Sequence, residues 1–181
     1  MKVTETSLPG VLLLEPRLFT DSRGWFAEFY NERVFAEAGL PSHFIQDNQS
    51  HSTEGVLRGM HYQLGAPQGK LVRVLSGTIY DAVVDLRPGS PTRGQWAGFE
   101  LSSENRHILW IPEDFAHGFK VLSKTADVLY KVTKPYDSRA ERTLRWDDPE
   151  VNILWPGSAT PVLSSKDADG KFWSEAELPV A

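Results

Sequence analysis

The sequence predicts an all-β fold, a sandwich or barrel with few helices, and three observations carry that expectation. Short apolar runs recur at regular spacing, over residues 11–14, 95–101, 107–111, 118–122 and 127–132. Turn chemistry punctuates them, as in Pro9-Gly10, Ser76-Gly77 and Arg87-Pro88-Gly89-Ser90-Pro91, and short strands separated by such signals are the pattern of sandwiches and barrels. One segment alone carries a helix's start and stop: Asn31 as cap, Phe35 and Ala38 on an apolar face, then Gly39 and Pro41.

Each element follows from local chemistry. Residues 11–14 are four apolar residues closed by Pro16, a first buried strand. Asp21-Ser22-Arg23-Gly24 is a turn, and Trp25 to Phe29 then alternates as a strand with Glu28 on one wall. Phe44 to Ser50 starts apolar and turns polar, with Gln46 and Asn48 on one face, where side-chain amides can bond a sugar or a base. Two apolar runs within 71–84 flank Ser76-Gly77 and predict a hairpin. Beyond Thr133 the alternation fades into polar and aromatic residues, expected to be loop packed over the barrel because Trp146 and Trp155 need cover. Ser165 to Gly170 predicts a turn, and Trp173 to Glu177 a last helical piece.

Size and charge narrow the function. The chain has 181 residues, 40% hydrophobic and 24% charged, which suits one domain over 1–181. No apolar run approaches the roughly 20 residues of a membrane span. A net charge of -5 argues against a broad nucleic-acid surface, so no nucleic-acid polymer and no membrane are expected as partners. The first residues lack a signal peptide's apolar centre, and the chain has no cysteine, so the expected location is the cytoplasm.

The chemistry concentrates in Val56-Leu57-Arg58-Gly59-Met60-His61-Tyr62-Gln63 and in Gly69-Lys70-Leu71-Val72-Arg73-Val74. An Arg, a His and a Lys beside apolar strands are costly to bury without an anionic partner. A lone interior histidine is more often structural, but Arg58 and Lys70 beside it favour His61 as a general base. In a regular strand Arg58 and Met60 share one face and Leu57, Gly59 and His61 the other, unless the glycine makes a bulge. His117, entering a strand after Pro112, invites a metal when paired with His61. Against this, the second residue after His61 is Gln63, and cationic Lys70 follows where a carboxylate would help. Tyr130 is either a packing residue or a general acid, and Asp167 either orients His61 or belongs to a turn. His43, His51 and His107 have no expected chemical role.

Taken together, residues 19–28, Gln46-Asp47-Asn48, 57–63, 69–74, 77–87 and Pro112-Glu113-Asp114-Phe115-Ala116-His117-Gly118-Phe119 resemble the dTDP-4-dehydrorhamnose 3,5-epimerase family. The resemblance runs to about Asp167. It implies a cupin-type β-barrel (jelly roll) with a few short peripheral helices, a homodimer, no metal and no cofactor, acting in dTDP-L-rhamnose biosynthesis. The implied substrate is dTDP-4-dehydro-6-deoxy-D-glucose, inverted at C3 and C5 through enolates. By the same resemblance His61 is the base, Asp167 orients it, Tyr130 returns a proton from the other side and Lys70 stabilises the enolate. Binding falls to Arg23, Glu28, Gln46, Asn48, Arg58, Lys70, His117, Glu141 and Lys166, with Tyr136 stacking on thymine. Arg23 and Glu28 lie in a region that in the family can reach the partner subunit's barrel. The rival readings are an epimerase acting at C3 or C5 alone, a ketoisomerase, and a cupin that binds a sugar nucleotide without catalysis or with a metal.

Overall fold

The computed structural model describes residues 1–180, and the strands dominate it. In chain order they are β1 (Lys2–Glu5), β2 (Leu12–Glu15), β3 (Leu18–Asp21), β4 (Gly24–Ala27), β5 (Gln46–Thr53), β6 (Leu57–Gln63), β7 (Lys70–Ser76), β8 (Thr78–Asp85), β9 (Trp96–Ser102), β10 (Ile108–Ile111), β11 (Phe115–Val121), β12 (Thr125–Val132) and β13 (Glu141–Thr143). The helices are α1 (Glu32–Glu37) and α2 (Ser165–Ala168). Asn31 caps α1 as expected, its side chain accepting from the Arg33 and Val34 amides.

Two sheets face each other, β1-β2-β10-β7-β12-β5 and β13-β6-β11-β8-β9, with β3-β4 as a separate hairpin. Alternation does the sorting: Val72, Val74 and Val128 of one sheet meet Ile79, Val83 and Phe119 of the other in the central core. The opposite face of the second sheet packs Met60, Tyr62, Ala82 and Val84 under Leu144, Val151 and Ile153. The outer face of the first sheet is covered by Phe35, Leu40 and their neighbours around α1. The central strands are thus buried by different partners on each side, whereas β1 and the outer face of β5 are exposed. Among the described residues no helix is long and apolar enough to cross a membrane.

The structure corrects three local expectations. The runs flanking Ser76-Gly77 do not form a hairpin: β7 pairs with β10 and β12, while β8 pairs with β11 and β9. Gly77, at φ 80°, turns the chain from one sheet into the other, and a Cβ there would lie 2.1 Å from the Thr125 carbonyl oxygen. Residues 165–168 are helical rather than a simple turn, because Ser164 caps them by accepting from the Asp167 amide. Trp173 to Glu177, by contrast, forms turns and no helix.

Candidate active site

The site begins with the polar inner face of β5. Gln46, Asn48 and Ser50 point inward while Asp47, Gln49 and His51 point to solvent, and β12 places Tyr130 directly beside Asn48. The second sheet supplies β6 opposite. There the register against β11 slips, so that His61 faces His117 but Arg58 faces Phe119. The extra residue is a bulge at Gly59, whose φ is 123° and whose Cβ would stand 2.5 Å from Gly118 Cα. The bulge breaks the two-residue period and turns both Arg58 and His61 into one cavity.

That cavity has a volume of about 360 Å³. Ten of the residues predicted from sequence line it: Gln46, Asn48, Arg58, His61, Lys70, His117, Tyr130, Tyr136, Glu141 and Lys166. His61 and Tyr130 enter from opposite sheets. Asp167 stands behind His61, 3% exposed, its Oδ1 2.6 Å from His61 Nε2. Its other oxygen accepts from Ser164 Oγ at 2.7 Å, so the helix cap also fixes the carboxylate. The sequence left Asp167 between an orienting group and a turn residue; here it is the carboxylate on His61.

Arg23 and Glu28 are elsewhere. Arg23 sits at the tip of the β3–β4 hairpin and pairs with Asp21 at 2.6 Å, while Glu28 accepts from Asn31 Nδ2 at 3.0 Å. Neither lines the cavity of this chain, and the hairpin forms no ladder with either sheet.

Electrostatics divides the groups. Burial lowers the pKa of His61 below the usual histidine value, against the opposing pull of Asp167. It therefore stands neutral and able to accept a proton near neutral pH. Burial alone would raise Asp167, but the bonds from His61 and Ser164 outweigh it and hold the carboxyl below the usual carboxylate range. Lys70, 8% exposed, is lowered by burial to about 8 and donates to the His61 carbonyl at 3.3 Å. Tyr130 is raised by burial, partly opposed by Arg58, so its phenol keeps its proton. Glu141 accepts from Lys166 at 2.9 Å and from Tyr136 Oη at 2.8 Å. Together these make a cationic cavity with a neutral base on one wall and a protonated phenol on the other.

Sequence reasoning missed several groups. Ser50, Tyr62, Gln63, Gln68 and Phe119 also line the cavity; for Ser50 the two-residue alternation after Asn48 was the available signal. Asp81 is fully buried on β8 and holds His117 at 2.8 Å, with Oδ1 left without a partner. A charge between Tyr80 and Ala82, within an apolar stretch of β8, was the clue. Among the described residues no group of three or more His, Cys, Asp or Glu is arranged to hold a metal ion.

Comparison with known proteins gives this geometry relatives. A family model described as dTDP-4-dehydrorhamnose 3,5-epimerase matches residues 5–175. A protein of that name from Pseudomonas aeruginosa is 53% identical over 178 residues, 98% of each chain. The chain also superposes, at a TM-score of 0.93 and 44% identity, on a dTDP-6-deoxy-D-glucose-3,5-epimerase from Legionella pneumophila in complex with dTDP-4-keto-L-rhamnose. That match covers 96% of this chain and 93% of the other. A 3'-monoepimerase from Streptomyces bikiniensis in complex with dTDP-quinovose shares the fold at a TM-score of 0.87 and 29% identity, over 93% of this chain and 86% of that one.

Proposed function

Since the chain belongs to the dTDP-4-dehydrorhamnose 3,5-epimerase family, we propose that it inverts C3 and C5 of dTDP-4-dehydro-6-deoxy-D-glucose, giving dTDP-4-dehydro-L-rhamnose in dTDP-L-rhamnose biosynthesis. The observation that carries this reading is the His61–Asp167 pair opening on the same cavity as Tyr130 of the opposing sheet.

The residues follow the chemistry. The C4 ketone acidifies the hydrogens on C3 and C5, and His61 removes one of them from one face of the ring. Lys70 is the cation for the enolate oxygen that develops at C4. Tyr130 returns a proton to the same carbon from the other face, which inverts it. Each inversion leaves a proton on His61 and takes one from Tyr130, so exchange with solvent resets the pair. Asp167 holds the imidazole ring and stabilises its cation. Arg58 and Lys166 answer the diphosphate, Gln46, Asn48, His117 and Glu141 hold the sugar and nucleotide, and Tyr136, half-exposed at the mouth, stacks on thymine.

The β3–β4 hairpin supports a homodimer. Phe19, Trp25 and Phe26 are 51%, 50% and 68% exposed, more aromatic surface than an isolated two-stranded hairpin is stable in presenting to water. Docked on a second copy, the hairpin would carry Arg23 and Glu28 to the partner's cavity. The absence of cysteine suits a reducing compartment, and we take the cytoplasm as the place of action.

The fold shared with the Streptomyces bikiniensis 3'-monoepimerase favours one alternative, inversion of a single centre. Incubation with dTDP-4-dehydro-6-deoxy-D-glucose in deuterated water, followed by NMR, separates the two. Deuterium at both C3 and C5 is expected, and label at one carbon alone rejects double epimerisation.

A further inference from the structure

The four residues that carry Tyr136 are held by side-chain amides rather than by a strand ladder. Gln68 Nε2 donates to the Lys134 carbonyl at 2.8 Å and Gln63 Nε2 to the Pro135 carbonyl at 3.3 Å. The Tyr136 amide donates to Gln46 Oε1 at 3.2 Å, and the Asp137 amide to Gln63 Oε1 at 3.0 Å. Gln63 Nε2 also donates to the Ala66 carbonyl at 2.9 Å, so this one side chain ties the loop after β6 to the loop after β12.

Gln63 is 4% exposed. A carboxamide offers two donors and an acceptor, and Gln63 uses its donors and its oxygen on these backbones. It also lies opposite Glu141 in the β6–β13 register, and Glu141 accepts the Tyr136 hydroxyl. Tyr136 is thus fixed at its amide by Gln46 and at its tip by Glu141, while Gln63 holds the backbone on both sides of it, at the Pro135 carbonyl and the Asp137 amide. Neutrality suits the position: a carboxylate there would repel a diphosphate, and a cation would compete with Arg58 and Lys166 for it. Gln63 bonds to neither His61, Lys70 nor Tyr130 among the described residues, although it follows His61 by two positions on the same strand.

We infer that Gln63 is a positioning residue for nucleotide recognition: it sets the ring of Tyr136 against the nucleobase, with Gln68 acting weakly in the same sense. The inference rests on the proposed stacking of Tyr136 on thymine. Losing the clamp should loosen the nucleotide end and leave proton transfer intact.

The test compares wild type with Gln63→Met, Gln68→Ala, Tyr136→Ala and the double variant Gln63→Met with Tyr136→Ala. Calorimetry with dTDP gives Kd, and turnover of the dTDP-ketosugar gives kcat and KM. Gln63→Met should weaken dTDP and raise KM by about tenfold, keep kcat within about twofold, and add nothing in the Tyr136→Ala background. Gln68→Ala removes an exposed contact without threatening the fold, and should weaken dTDP by about twofold to threefold by the same route. A fall in kcat at unchanged KM, or an equal penalty with and without Tyr136, overturns the inference, as does unchanged binding in Gln68→Ala should Gln63→Met fail to fold. If Tyr136→Ala binds dTDP as well as wild type, the stacking reading fails. If Tyr136→Ala is weakened and Gln63→Met is not, the inference alone fails.

Discussion

Two histidine–aspartate pairs lie side by side on β6 and β11, with His61 and His117 directly opposite in the register, yet they are built for different work. The side chain of His61 is 25% exposed and that of its partner Asp167 is 5% exposed. Asp167 comes from the short helix α2, more than a hundred residues away, and the helix cap Ser164 bonds its second oxygen. In the other pair His117 is 9% and Asp81 0% exposed, and the second oxygen of Asp81 has no partner. Burial raises Asp81, with His117 and Lys70 opposing, whereas hydrogen bonds lower Asp167. A solvent-reached imidazole on a satisfied carboxylate can take up and release protons. A nearly buried imidazole held by a fully buried carboxylate is a fixed group on the cavity wall. The same two residue types thus give a proton carrier in one place and a rigid wall in the other.

The largest expected effect removes the carrier. His61→Ala should lower kcat by about 10²–10⁴-fold while dTDP binds as before, a difference that steady-state turnover and calorimetry together resolve. Asp167→Asn, which keeps a hydrogen-bonding group but removes the charge, should fall in the same range.

Acidity sharpens the contrast. His61 must be neutral to act, and its pKa is lowered, so kcat/KM should stay level down to below the ordinary histidine value near 6.5 and then fall about tenfold per pH unit. On the alkaline side Lys70 loses its proton near about 8, and activity should fall there as the enolate loses its cation. A pH–rate profile of the Lys70→Gln variant should keep the acid limb and lack the alkaline one.

Smaller effects belong to the supporting groups. Asp81→Asn should reduce kcat/KM by about tenfold through misplacement of His117, without moving the acid limb, since that limb belongs to the other pair. Ser164→Ala, which removes one bond to Asp167 and one helix cap, should cost about threefold in kcat and lower the melting temperature by a few degrees. If Asp81→Asn shifted the acid limb and Ser164→Ala did nothing, the roles of the two pairs would be exchanged.

Much of this was legible in the sequence wherever a two-residue period holds. The inward face of β5, with Gln46 and Asn48, and the capped helix α1 follow from local pattern alone. The shared direction of Arg58 and His61 does not, because a bulge at Gly59 breaks the period, and only the pairing with β11 reveals it. The corner at Gly77 hid for a related reason: a glycine between apolar runs serves a hairpin and a crossing between sheets equally well. Asp81 was passed over because a carboxylate within a largely apolar strand gains meaning only from the histidine it holds. Contacts such as His61 with Asp167 are set by topology, and for them the family resemblance supplied what spacing could not.

The most direct test of two-sided proton transfer follows deuterium in the Tyr130→Phe variant. With His61 intact and the phenol gone, the ketosugar should take up deuterium from solvent with its configuration retained, while epimerised product is reduced by about 10²-fold or more. The same assay on His61→Ala should show no uptake. Uptake in His61→Ala equal to wild type, or normal inversion in Tyr130→Phe, would contradict the assignment of base and acid to opposite walls of the cavity.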